Sequence, residues 1–101
     1  MAGDSAGTAP DFLVHDQRDM VGVVVVEGVE GGRELSGWVM DTDETVTLGV
    51  EEAIPLGHKI ALRDIARGET VLKYGEDIGR AVADIGRGRH VHVHNLKTKK
   101  W

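Results

Sequence analysis

The residues with the most chemistry in this chain of 101 residues stand near its end, where His90-Val91-His92-Val93-His94-Asn95 alternates imidazole with valine. In an extended strand, side chains at i, i+2 and i+4 share one face. Read as a strand, the segment places three histidines on one side and two β-branched hydrophobes on the other. A buried valine face does not require imidazole opposite it, so the alternation points to chemistry. Imidazole near neutral pH can serve as base, acid or metal ligand. Strand residues two apart lie ~6.6 Å from each other and can reach one ion, whereas residues four apart lie ~13 Å from each other. One ion therefore takes two of the three. His92 and His94, nearest Asn95 and the basic end, are the expected pair, and imidazole nitrogen suits Fe, Zn, Cu or Ni.

A second candidate is Gly57-His58-Lys59, a turn entering a strand, where functional groups often sit. His58 reads as a general acid or base and as a third contributor to the ion, against the plainer role of hydrogen-bonding a carbonyl of the turn. Lys59 and Lys97 read as partners for a substrate carboxylate, or as solvated cations. Asn95 offers a donor and an acceptor to a hydroxy acid, or simply forms a turn. His15 stands beside Asp16 and Asp19 without a motif and reads as a surface residue. Asp41, Asp43 and Glu44 lack the spacing of a calcium loop and read as a hairpin turn.

Charge narrows the partners. The net charge is −5, but residues 80–101 carry six basic side chains and a single acidic one, Asp84, while residues 1–79 carry six basic and sixteen acidic. An acidic surface argues against nucleic acid, whose binding rests on phosphate neutralisation. The basic end suits a small anion or an acidic partner surface. With no cysteine, disulfides and thiolate metal sites are excluded. No apolar run approaches the ~20 residues of a membrane span, and the N-terminus lacks a secretory pattern. The expected location is the cytoplasm, away from membranes.

The elements that must hold these side chains look almost wholly β. Only four residues are Phe, Trp or Tyr, so Val, Ile and Leu supply the core of a single domain. Residues 1–10 read as a disordered leader and residues 11–101 as the folded unit. Val21 to Val26 reads as a central strand covered on both faces. Trp38 to Leu48 reads as a hairpin around Asp41-Thr42-Asp43-Glu44. No capped amphipathic helix is present, and one helical turn around Leu62 to Ala66 is the most that fits. Val29-x-x-Gly32-x-x-Leu35, Ile54-x-x-Gly57-x-x-Ile60, Ile65-x-x-Gly68-x-x-Val71 and Ile85-x-x-Gly88-x-x-Val91 share one spelling: an aliphatic anchor, a glycine turn and the start of a strand. Their irregular spacing excludes a solenoid.

These motifs resemble a known family. Ile65-Ala66-Arg67-Gly68-Glu69-Thr70-Val71 is similar to the repeated turn of SAF domains, the β-clip module. Ile54 to Leu62, then Lys73-Tyr74-Gly75, Ile78-Gly79 and His90 to Asn95, resemble the altronate and galactarate dehydratases. The closing Asn95 to Trp101 resembles the small subunit of (2R)-sulfolactate sulfo-lyase. The resemblance implies a compact all-β β-clip fold and a lyase removing water or sulfite from a sugar acid or 2-hydroxy acid. It implies a divalent metal, Fe²⁺, and a large catalytic subunit as partner. His58, His92 and His94 would then be catalytic, His92 and His94 also metal ligands, and Lys59, Asn95 and Lys97 substrate-binding. A homodimer through the valine-rich edge is also compatible. SAF domains elsewhere bind sugar or ice, so a non-catalytic carbohydrate-binding or structural module stays open.

Overall fold

A strand without polar interruption needs a neighbour on each side and cover on both faces, and Val21-Gly22-Val23-Val24 receives them. The computed structural model of the protein describes residues 9–74 and 76–98. The strands in chain order are β1 (Phe12–Val14), β2 (Val21–Val24), β3 (Glu34–Val39), β4 (Glu44–Gly49), β5 (Lys59–Ala61), β6 (Thr70–Lys73), β7 (Glu76–Ala81), β8 (His90–Val91) and β9 (Leu96–Lys97). A six-stranded sheet runs β4-β3-β1-β2-β5-β8, with the valine strand inside it, and a three-stranded sheet runs β6-β7-β9. β1 pairs with β3 in parallel, and the remaining pairs are antiparallel. The expected hairpin is β3–β4, with Val39 opposite Glu44.

Two clusters of apolar side chains hold the sheets. Phe12, Leu35, Ile54 and Ile60 centre one; Val21, Ile65, Val71 and Val91 centre the other. With so few aromatic residues, the β-branched side chains carry most of this packing, as strand geometry favours.

The recurring anchor–glycine spelling turns out to be a pairing device. Val29 bridges Ile54, and Ile65 bridges Ile85, so the four turns come in two couples. Gly32, Gly57, Gly68 and Gly88 have φ of 92°, 86°, 90° and 84°, a region that disfavours any Cβ. Their amides donate to the carbonyls of Val50, Val24, Ala81 and Ala61, each at 2.8 Å. The carbonyls of the next residues, Arg33, His58, Glu69 and Arg89, accept from the amides of those same four residues. Within a couple the bonding is reciprocal: each turn ties to the strand end leading into its partner's anchor. Irregular spacing along the chain conceals this regularity in space.

Two expectations need correction. No helix occurs among the described residues, including the stretch from Leu62 to Ala66. There the Ile65 backbone exchanges two 2.8 Å hydrogen bonds with Ile85, which leaves it no helical partner. The alternating segment is also not one strand. β8 ends at Val91, and His92 to Asn95 form a turn before β9. The cause is tertiary. Leu96 packs on the second cluster, and β9 pairs with β7 in the other sheet, so the chain must turn to cross from one sheet to the other. Val93, expected on a buried face, is 66% exposed. The expected leader falls mostly on residues 1–8, which lie outside the described residues.

Gly88 tests the pairing device, because a Cβ there would stand 2.2 Å from the Gly49 carbonyl oxygen. Gly88→Ala should destabilise the fold by ~2 kcal/mol or more, from strained φ plus overlap. Gly49, where a Cβ meets nothing within 4 Å, is the control: Gly49→Ala should stay within ~0.5 kcal/mol in the same denaturant titration.

Candidate functional site

Each histidine of the site is delivered by a different local device. His58 directly follows Gly57 and is tied down by its own backbone, with its amide donating to the Pro55 carbonyl and its carbonyl accepting from Val24. His90 begins β8, which lies antiparallel beside β5 with His90 opposite Ile60. Its backbone amide donates to Glu52 Oε2 at 3.0 Å. His92 opens the turn. The turn is closed by main-chain donation from Asn95 and Leu96 to the His92 carbonyl. A buried side chain completes it: Asn95 Oδ1 accepts from the His92 amide at 3.0 Å, and Asn95 Nδ2 donates to the His90 carbonyl at 2.8 Å.

These devices bring His58, His90 and His92 together. One ring nitrogen from each lies within 4.8 Å of the others. His58 Nδ1 and His90 Nε2 are 2.7 Å apart, within hydrogen-bond reach. The rings of His58 and His92 stack at 3.8 Å and 16°. His90 and His92 are near-parallel at 5.7 Å. Because the strand ends at Val91, His92 swings back over His58, and the group that forms is not the His92–His94 pair expected of a continuous strand. His94 is exposed and stands outside the triad, its ring 5.0 Å from that of His90. It lies beside a depression that Glu52, Asp84, Arg89 and Asn95 also line.

The remaining candidates divide by what they touch. Lys59 is half-buried on β5, and its charge acts on His92. Lys97 is exposed, and its ammonium donates to the Val93 carbonyl, which clasps the turn. The Asn95 amide is engaged by backbone at both ends, so it positions His92. Electrostatics favours neutral rings. Burial, then the charges of His58 and His94, holds His90 below its ordinary value, with Glu52 opposing. Burial, then His58 and Lys59, does the same to His92. Neutral imidazole is the form that binds a metal, and three ring nitrogens in mutual reach fit a divalent first-row ion while leaving coordination positions open.

Strand spacing allows His90 with His92 as well as His92 with His94, and the preference for the pair nearest Asn95 and the basic end passes over His90. The pairing of β5 with β8 supplies the missing proximity to His58. Nor does the pattern assign anything to Lys73-Tyr74 or to His15, although Tyr74 stands in the left-handed region, φ 59°, where a bulky residue is uncommon.

Removing the Asn95 amide should loosen the whole arrangement. Asn95→Ala leaves the His92 amide and the His90 carbonyl unpaired beside the core and should cost ~2 kcal/mol by denaturant titration. The stacked His58 and His92 ring protons should move toward unstacked chemical shifts. Asn95→Asp, which restores the acceptor alone, should fall between.

Comparison with known proteins places the chain. Residues 10–99 match the family described as altronate/galactarate dehydratase SAF domain. The chain is 64% identical over 91 residues to a (2R)-sulfolactate sulfo-lyase subunit alpha of Chromohalobacter salexigens, covering 90% of this chain and 97% of that protein. It is 45% identical over 80 residues to an altronate dehydratase of Escherichia coli, covering 79% of this chain and 15% of that protein. A galactarate dehydratase (L-threo-forming) of the same organism is 36% identical over 81 residues, covering 80% of this chain and 14% of that protein.

Proposed function

Because this chain belongs to the altronate/galactarate dehydratase SAF-domain family, we propose that it is the small subunit of a two-subunit, Fe²⁺-dependent lyase that eliminates sulfite or water from a 2-hydroxy acid. The observation that carries the reading is the match along 97% of a protein named a sulfo-lyase subunit alpha, in a chain that assembles a histidine triad. (2R)-Sulfolactate is the first substrate to test, and altronate and galactarate are the alternatives. In the E. coli altronate dehydratase the corresponding segment is 15% of the length, which supports a large partner supplying most of the remaining machinery.

Elimination beside a carboxylate needs a base for the α proton, positive charge near the developing enolate, and help for the departing group. His58, His90 and His92 would hold the ion, which when bound supplies Lewis acidity toward substrate oxygens. Burial and mutual proximity keep His90 and His92 neutral and ready for it. Lys59, half-buried on β5 directly after His58, would supply a positive charge to a substrate carboxylate. His94, exposed at the triad's edge, is placed to exchange protons with substrate or solvent. Asn95 and Lys97 keep the turn that carries His92 and His94 in register. All three rings of the triad are half-buried, which leaves them accessible to a second protein surface that would complete the cavity and exclude water.

The test is reconstitution with the large subunit, followed by assays of sulfite release from (2R)-sulfolactate and of dehydration of altronate and galactarate. Chelation should abolish turnover and Fe²⁺ should restore it. His58→Ala, His90→Ala and His92→Ala should each lower kcat by ~1,000-fold or more, while His94→Ala should cost ~100-fold, the lower end of the range for acid–base groups. Full turnover after chelation, or in the combined triad variant, would refute the metal-dependent reading. Ligand binding by the isolated chain with no turnover in any complex would favour a binding module instead.

A further inference from the structure

The four anchor–glycine turns act as controls for one another. Each presents an exposed residue directly before its glycine: Gly31, Leu56, Arg67 and Arg87. Three of the turns close with the same backbone bond, the amides of His58, Glu69 and Arg89 donating to the Pro55, Ala66 and Gly86 carbonyls at 3.0 Å in each. The position before the glycine is therefore equivalent among them, and turn tips favour small or polar residues. Two of the turns carry arginine there. The turn that delivers His58 carries leucine instead, 52% exposed. Folding does not ask for it, since the same turn closes twice with arginine.

The turn that delivers His92 repeats the anomaly. Val93 lies within it, 66% exposed, although a β-branched residue suits a strand better than a turn. Its backbone is held on both sides. The His92 carbonyl accepts from Asn95 and Leu96, the Asn95 side chain bonds to His92 and His90, and the Lys97 ammonium donates to the Val93 carbonyl. The two apolar residues flank one pair of rings, because His58 stacks on His92 at 3.8 Å. Leu56 is two residues from His58 and Val93 is next to His92, so their Cα atoms lie within ~7 Å and ~4 Å of those two. Val25, also exposed, adjoins the first turn, since its neighbour Val24 exchanges backbone bonds with Gly57 and His58. Charged groups of both signs stand nearby in these segments: Glu52, bonded to the His90 amide, with Lys59 and Lys97. An apolar centre inside a mixed polar rim is the make-up of a protein–protein interface.

We propose that Leu56, Val93 and Val25 form an apolar lip on which the large subunit of the proposed lyase docks, sealing the histidine triad against water. The identity of the occupant rests on the lyase reading, whereas the surface rests on the turns themselves. A seam of apolar side chains beside half-buried rings places water exclusion where the site by itself lacks it. Turns already fixed by backbone bonds lower the cost of ordering on association. The facing surface should be apolar at its centre, with polar groups of both signs outside.

The test is calorimetric titration of the full chain with the large subunit, for the wild type and for variants whose folding is checked by thermal melts. Leu56→Arg installs the residue of two equivalent turns, so it suits the fold, and it should weaken association ~10-fold or more. Val93→Ser should weaken it ~5-fold or more, in the range for residues at an interface centre. Met40→Ser is the control: an exposed apolar residue following β3, which β1 and β2 separate from β5. It should stay within ~2-fold. At saturating large subunit, turnover by Leu56→Arg and Val93→Ser should return to within ~3-fold of wild type. Turnover that stays low at saturation overturns the lip, because the residues would then act through the triad. Undiminished association of both variants overturns the lip and leaves the lyase reading standing. A complex that depends on these residues yet turns over none of the three acids overturns the lyase reading alone. A wild-type chain that does not bind the large subunit overturns both. Sedimentation of the isolated chain covers the remaining occupant: self-association abolished by the same substitutions, with large-subunit binding unchanged, assigns the surface to a second copy and overturns the proposal.

Discussion

The structure depends on a backbone constraint met four times. A glycine in the left-handed region donates its amide to a strand end, and the following residue's carbonyl accepts from that same strand end. Neither bond is strong in net terms, since each replaces a bond to water. Their value is geometric. Each pair fixes the direction in which the chain leaves the turn, and reciprocity within a couple makes each turn a condition of the other. The two aliphatic clusters supply the burial that such short strands cannot supply from pairing alone.

The candidate site is attached to these turns rather than to strand interiors. His58 follows Gly57, and His90 lies two residues past Gly88, so the device that closes the fold also aims two of the three rings. Gly88 belongs to the second couple and Gly57 to the first, which puts the triad across the junction between the two units. His92 needs a further device, and Asn95 supplies it: a short polar side chain, buried, bonded to backbone on either side. A buried polar group satisfied in this way rigidifies what it touches, whereas one left unsatisfied would destabilise it.

The site is also unfinished in a consistent manner. Its three rings are only half-buried, and Tyr74 and Val93 stand well exposed. Half of an active site assembled from two proteins should have this character. On the proposed reading it would carry ligands and charge, with the exclusion of water left to the surface that covers it.

Much of the fold was legible in the residues. The valine strand, the β3–β4 hairpin and the anchor–glycine turns are local, and local chemistry decides them: β-branched side chains prefer the pleat, and glycine tolerates positive φ. That imidazoles gather near the end of the chain was legible from residue type alone. What could not be read is which imidazoles meet. The alternation of His90 to His94 obeys strand spacing, yet Leu96 packs into the second sheet and forces a turn after Val91, because burying that side chain outweighs two more residues of strand. His58 joins His90 only through the pairing of β5 with β8, and His15 meets Tyr74 across 59 residues. The sequence by itself determined the residue chemistry and the short-range turns. The grouping of those residues was decided by tertiary packing alone, since the meeting of distant segments depends on strand register and core burial that no local spacing encodes.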